Sequence, residues 1–459
     1  MTANTIFRRP IIFVTKIGLA CFLMIFLTFP IFAQSGKSPA IRESGQKTIG
    51  EIWCEMVKKT FVNPSFDELG TLHEGYSFDE LLEIAQRSNP SLYRSASKIA
   101  AAKGKRNQAG LYPNPRLSYA GDNLGVKGEV GKHGLAITQE IVTAKKQKLD
   151  RTAASYDVSA AKKEYSMTQL KLQNDLKIAH YEIIYAILIC KVENFAQDLS
   201  KDLLRVAKTM HKNDNSKAID ILHFQTMLNA EAVDYKQAEN NKLAKWQNLV
   251  SIVGVPDLPY QPVRGTLIDH SPQRNWQATW TQLQSVSPQL ELAKIKIAQA
   301  KVYSNRAKAE QFSNIYATFS LARDIPAKAN VPFVGITTPL RIYNKNQGNI
   351  ARTNAEIAIA NREFDCLSLR LHQKLATVFC QYENACEIIN VYEKSIIPDS
   401  FEALRQIGEN YCNGKMTYLD LYAQRKIVIN ALLKYIEALE TKAISVTKID
   451  GMIIEGVLD

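Results

Sequence analysis

The chain has 459 residues, 46% of them hydrophobic, with only 21 Gly and 16 Pro. So few helix breakers over this length exclude a loop-rich or low-complexity protein and favour extended helix. The formal net charge of +12 arises from basic and acidic residues interspersed with no dense basic block, so solvated helix faces account for it better than a nucleic-acid surface does. At the N-terminus, Arg8, Arg9 and Lys16 precede an apolar run, Ile17–Phe32, and Ala33 stands before Gln34. This reads as a secretory signal over residues 1–33, with an uncleaved anchor as the alternative, since Ile31 sits where a small residue is usual. Cys21 follows Leu19-Ala20, but Lys16 leaves too short an apolar run for a lipidation signal. No later segment can cross a bilayer as a helix, so a membrane seat would have to be a β-barrel. Residues 34–76, with Trp53 and Cys54, form an extension of no assigned role.

Residues 77–254 and 276–454 read as two copies of one unit, followed by a short tail over 455–459. Pro90 matches Pro288, Tyr165 matches Phe364 and Asp220 matches Asp420, at offsets of 198–200 residues in order along the chain. A Pro-rich linker over 255–275 separates them. Each copy opens with a helix. In the first, Ser77 and Glu80 have capping-box spacing. The helix breaks at Asn89-Pro90, restarts through Ser91–Leu111, and stops at Tyr112-Pro113-Asn114-Pro115 because proline cannot continue it. Alternating stretches then predict two strands, at about residues 115–139 in the first copy and 314–339 in the second.

From Leu135 to Val253 there is no Gly or Pro, and helix is predicted from about Thr143 to Lys212. At 1.5 Å per residue that is on the order of 100 Å. Its apolar positions alternate by four and three: Leu172, Leu176, Ala179, Ile183, Ala186, Cys190, then after a slip Ala196, Leu199, Leu203, Val206, Met210. This is a heptad seam, the mark of lengthwise coiled-coil packing. A polar turn at Asn213–Ser216 sends the chain back as a second helix, giving a hairpin over 143–253. The second hairpin spans 343–450, turns at Tyr411–Lys415, and is expected to be interrupted at Pro398.

Four strands cannot close a barrel with a lumen, and open edges are not tolerated in lipid. Sister chains must complete the sheet, and three protomers would supply about twelve strands. The fold class expected is therefore mainly α with a small β part.

The ordered set resembles the TolC-type outer-membrane efflux proteins over residues 77–454. Tyr411-x-x-Gly414-x-x-x-Tyr418-Leu419-Asp420-Leu421 is similar to that family's second hairpin tip, and Ala109–Pro115 to its turn into the first strand. The compact strand loops are closest to the heavy-metal cation efflux, CzcC-like branch. The resemblance implies a homotrimer, a twelve-stranded outer-membrane barrel and a periplasmic tunnel. It further implies a periplasmic adaptor (membrane fusion protein) and an inner-membrane pump as partners, in efflux or type I secretion. It implies no enzyme activity, cofactor, metal site or nucleic-acid partner. The chain departs from the pattern at the first tip, which lacks the Gly, and at Met416, where a basic residue is common.

Asp220, Asp420 and Tyr418 are candidates for the channel aperture, where acidic rings would attract cations. Plain helix-start placement of the two carboxylates explains them equally well. Asn213, Asp214, Asn215, Asn413, Gly414 and Lys415 are candidate adaptor contacts, against simple turn chemistry. The seven histidines are scattered without ligand spacing, although His211 and His223 flank one tip. The cysteines lack a CxxC pair, and most are expected to face the core. No nucleophile, phosphate-loop or dinucleotide motif occurs. The competing reading is a secreted or periplasmic coiled-coil structural protein without a pore.

Overall fold

The computed structural model describes residues 71–128, 130–212, 218–268, 272–413 and 415–458. The signal, residues 34–70, and the tip candidates Asn213, Asp214, Asn215 and Gly414 lie outside the described residues.

A short strand, β1 (Thr71–Leu72), leads into α1 (Phe78–Ser88). The Ser77–Glu80 capping box is formed in both directions, which satisfies two of the otherwise orphaned N–H groups of α1. Asn89 caps α2 (Pro90–Ala109) by accepting from the Ser91 N–H, and its amide reaches Ile252 O at 2.7 Å. It is wholly buried, so the break between the two helices is also a tie across the fold. The chain then runs through β2 (Arg116–Asp122) and β3 (Lys132–Ile141) into α3 (Lys146–Lys212), 67 residues long, and returns as α4 (Ala218–Val253). Every seam residue from Leu172 to Met210 named above is buried.

After β4 (Gly265–Thr266), which pairs with β1, the order repeats as α5 (Trp276–Val286), α6 (Pro288–Ala309), β5 (Ile315–Asp324) and β6 (Ala329–Thr337). Next come α7 (Gln347–Val391), α8 (Ile397–Cys412) and α9 (Tyr418–Asp450). The interruption expected at Pro398 is present, between α7 and α8. A π turn over Tyr392–Ile396 takes up the irregularity, and Pro398 sits in the first turn of α8, where its missing N–H is least costly.

The four long strands form one antiparallel sheet in the order β2-β3-β5-β6. Helices α2, α3, α6 and α7 pack side by side in the matching order. The register sets Leu117 beside Ile137, Ile137 beside Phe319, and Phe319 beside Val334. A second row joins Tyr119, Leu135, Leu321 and Pro332. One face of the sheet is therefore apolar. The alternate positions, among them Ser118, Thr138, Thr318 and Ser320, make the other face mostly polar, with Val331 and Phe333 of β6 as exceptions, and Thr138 and Thr318 are hydrogen-bonded at 3.0 Å.

The main core runs along α3, α4, α8 and α9, and a second cluster lies beneath α5, around Leu283, Leu375 and Phe379. Of the five described cysteines, Cys190 is buried and Cys412 and Cys386 pack against the two cores, as expected for most of them, whereas Cys366 and Cys380 are exposed on α7.

Candidate functional site

The tip end of the paired hairpins is built by the ends of α3 and α8 and the starts of α4 and α9. Thr417 caps α9. Its hydroxyl accepts from Asp420 N–H, while Thr417 N–H and Oγ1 donate to Asp420 Oδ2 at 2.9 and 2.6 Å. Those bonds hold the Asp420 carboxyl below its ordinary range, with the Thr417 hydroxyl as the main cause. Asp420 is thus ionised, exposed, and engaged in a capping box. Asp220 lies in the first turn of α4, half-buried, and its charge helps raise the Tyr411 hydroxyl, whose main perturbation is burial. Asn413 caps α8 through its N–H to Glu409 O, and Lys415 N–H closes the turn onto Asn410 O at 2.9 Å. Both side chains are exposed.

Tyr418 is not isolated at the mouth. Its ring stacks on His223 with centroids 4.5 Å apart, and Phe224 stands edge-on to both Tyr418 and Tyr411. The aromatic cluster fastens α9 to α4 next to Asp220 and Asp420. His223, which flanks the first tip in the sequence, is a stacking partner across the seam. Among the described residues no group of three or more His, Cys, Asp or Glu could hold a metal ion.

Deeper along the same seam, sequence reasoning missed a buried ion pair. Arg425 of α9 meets Glu231 of α4 and also donates to Ala196 O of α3 at 2.7 Å. The two side chains come from positions 194 residues apart, so no local pattern signals their meeting. Glu193 and Asp234 stand beside them. Burial is the main cause that raises the carboxyls of Glu231 and Glu193, with neighbouring carboxylates adding to it.

A four-stranded, open-edged sheet with one apolar face, set on two long helical hairpins, is the fold shared with TolC-type channels. The comparisons with known proteins agree. The cobalt-zinc-cadmium resistance protein CzcC of Cupriavidus metallidurans is 18% identical over 382 residues, covering 82% of this chain and 90% of that relative. The outer-membrane channel OprN matches with a TM-score of 0.71 at 15% identity, over 83% of this chain and 90% of its own. CusC matches with a TM-score of 0.68 at 12% identity, over 84% and 96% respectively. The outer-membrane protein VceC of Vibrio cholerae matches at 0.67 and 15% identity, over 82% and 95%. No protein-family model matches the chain. The likeness to TolC-type channels read from the sequence, including its CzcC-like leaning, therefore holds at the level of fold and relatives.

Proposed function

We propose that this chain is the outer-membrane channel of a tripartite efflux system, a passive duct rather than an enzyme. One observation carries the reading: the sheet ends on two unpaired edges, β2 and β6, that run in opposite directions. The β6 of one copy can therefore pair antiparallel with the β2 of the next, and the pairing repeats until the ring closes. Three copies give twelve strands, the smallest closed set with an open lumen that this sheet favours. The strands β3, β5 and β6, of 9 to 10 residues, match the reach of a bilayer when tilted, and β2 is shorter at 7. The apolar face then meets lipid and the polar face lines the pore. The side-by-side helices continue the same ring below the membrane, which places the hairpin tips in the periplasm.

A periplasmic adaptor meets the tips, and an inner-membrane pump loads the duct. Asn413, Lys415 and the turn residues Asn213, Asp214, Asn215 and Gly414 offer the contact surface, while Asp220, Asp420 and Tyr418 form the aperture. The name of the CzcC relative supports divalent metal cations as cargo, and ionised Asp420 rings suit cations. Detergent extraction followed by mass measurement tests the assembly. A trimer whose gel mobility changes on heating is expected. A stable water-soluble monomer would leave the sheet edges open and sink the proposal.

A further inference from the structure

The seam where the first copy of the unit meets the second lies inside the chain, and the outer edges, α2 with β2 and α7 with β6, are the two sides of the same seam left open. Arg106 and Arg306, Asn114 and Asn314, and Tyr119 and Phe319 correspond at an offset of 200 residues. Ile137 and Ile336, and Thr138 and Thr337, correspond at 199. At the closed seam Arg306 Nε donates to Asp150 Oδ1 at 2.8 Å, and Lys146, 1% exposed, donates to Asn314 Oδ1 at 2.7 Å. Thr138 and Thr318 are register partners and share a hydrogen bond.

At the open edges the counterparts of these groups are Arg106, Asn114 and Ser118 on one side and Asn349, Lys345 and Thr337 on the other. Arg106 Nε is sealed from water without a hydrogen-bond partner, whereas the same atom of Arg306 is satisfied across the closed seam. An orphaned buried donor calls for an acceptor. The counterpart of Asp150, Asn349, is exposed on α7, and its Nδ2 donates to Asn346, so Oδ1 is the acceptor it can offer. Lys345 and Asn114 are exposed as well.

On the ring reading above, we propose that the junction between copies repeats the internal seam residue by residue. Thr337 stands opposite Ser118 of the next copy, and Ile336 opposite its Tyr119. Below the sheet, Asn349 Oδ1 accepts from Arg106 Nε of the next copy, and Lys345 donates to its Asn114. This register keeps the faces, since Ile336 and Tyr119 are apolar-face residues and Thr337 and Ser118 polar-face residues. It also gives the stagger of a closed barrel. Ser118 pairs with Ala136, and Ala136 with Ser320, two residues past Thr318, the counterpart of Ser118. Repeated at each junction, that is one residue per strand, about 3.3 Å over a strand spacing of about 4.8 Å, a tilt of about 35°. The junction is the less ionic of the two seams, because Asn349 replaces Asp150 and Gly110 replaces Glu310, the carboxylate beside Lys146 and Arg306.

The test uses the intact chain in detergent. Thr337→Cys with Ser118→Cys should give covalent trimer on a non-reducing denaturing gel after mild oxidation, and either substitution alone none above wild type. Thr337→Cys with Ala120→Cys, two residues out of register on the same face, should give less than a tenth as much. Asn349→Asp restores the carboxylate seen at Asp150 and should raise the temperature at which the trimer dissociates, a gain that Arg106→Gln abolishes. Preferred crosslinking of the shifted pair overturns the register. No gain from Asn349→Asp, or a gain that survives Arg106→Gln, overturns the pairing below the sheet. A trimer that fails these tests overturns this proposal alone, whereas a chain that forms no trimer overturns the ring reading beneath it.

Discussion

The ring of Tyr418 lies face to face with the imidazole of His223, their centroids 4.5 Å apart and their planes 13° from parallel. The pair joins the first turn of α9 to an early turn of α4, so the two returning helices cannot part at the tip without separating these rings. An aromatic pair contributes about 0.5–1.5 kcal/mol beyond its buried area. Tyr418→Leu should therefore open the tip more often, and limited proteolysis near the turns should speed up about two- to tenfold. An unaltered cleavage rate would show that other contacts hold the tips together.

Among the described residues, Arg425 and Glu231 form the one ion pair whose two side chains are nearly sealed from water, at 4% and 11% exposure. Removing one partner strands the other charge. Arg425→Met should cost about 3–5 kcal/mol in denaturant unfolding of the assembled protein. Arg425→Met with Glu231→Met should recover most of that loss, because the stranded carboxylate is gone. A double variant as unstable as the single one would refute this account.

Asp420 serves a cap and, in the duct proposed above, would stand in a ring. Asp420→Ala removes both, whereas Asp420→Asn keeps a side-chain acceptor for the Thr417 amide. If the ring matters, cation preference in planar bilayers should fall in both variants. Because the Thr417 bonds depress the Asp420 pKa, its contribution to the cap is present above the ordinary carboxylate range and is lost as pH falls through the lowered value. Equal cation preference in wild type and both variants would leave only the capping role.

The two faces of the sheet should respond differently to charge. Leu135→Asp places a carboxylate on the apolar face, costing less than the roughly 2–4 kcal/mol of a basic side chain near a bilayer midplane, and should reduce recovery of heat-modifiable trimer. Ala136→Asp, one residue on, points to the polar face and should assemble normally, with altered conductance. Equal assembly of both variants would contradict the assignment of faces.

Glu440, packed near Glu182 and Lys245, has its pKa pushed up to about 8 by burial and by the Glu182 charge, with Lys245 opposing. The folded protein thus holds a proton that the unfolded chain releases at a lower pH. The stabilisation is complete below the ordinary glutamate value and fades as pH rises toward 8, by at most about 1.4 kcal/mol per pH unit. Glu440→Gln should flatten the fall in stability between pH 6 and 8. Parallel wild-type and variant curves in thermal unfolding would count against it.

Much of the architecture was legible because it is periodic. The heptad positions from Leu172 to Met210 repeat along one helix face, and the helix pattern is set within a few turns. Alternation across Leu117, Tyr119, Leu135 and Ile137 fixed which side chains share a sheet face, because the strand period is two. Ser77 with Glu80 announced a helix start through a spacing of three residues. Pro398 marked the interruption of the second outgoing helix, because its missing N–H is accommodated by the widened turn Tyr392–Ile396 just before it.

The sequence by itself determined the elements: two long hairpins, two strand pairs, and the faces each must hide. Those follow from backbone geometry and the spacing of apolar side chains over a few residues. Only the tertiary structure decided what meets across the seam. The Tyr418–His223 stack, the Arg425–Glu231 pair and the raised carboxyl of Glu440 beside Glu182 all join residues far apart in the chain. Their chemistry is set by desolvation and neighbouring charge, which no local spacing encodes.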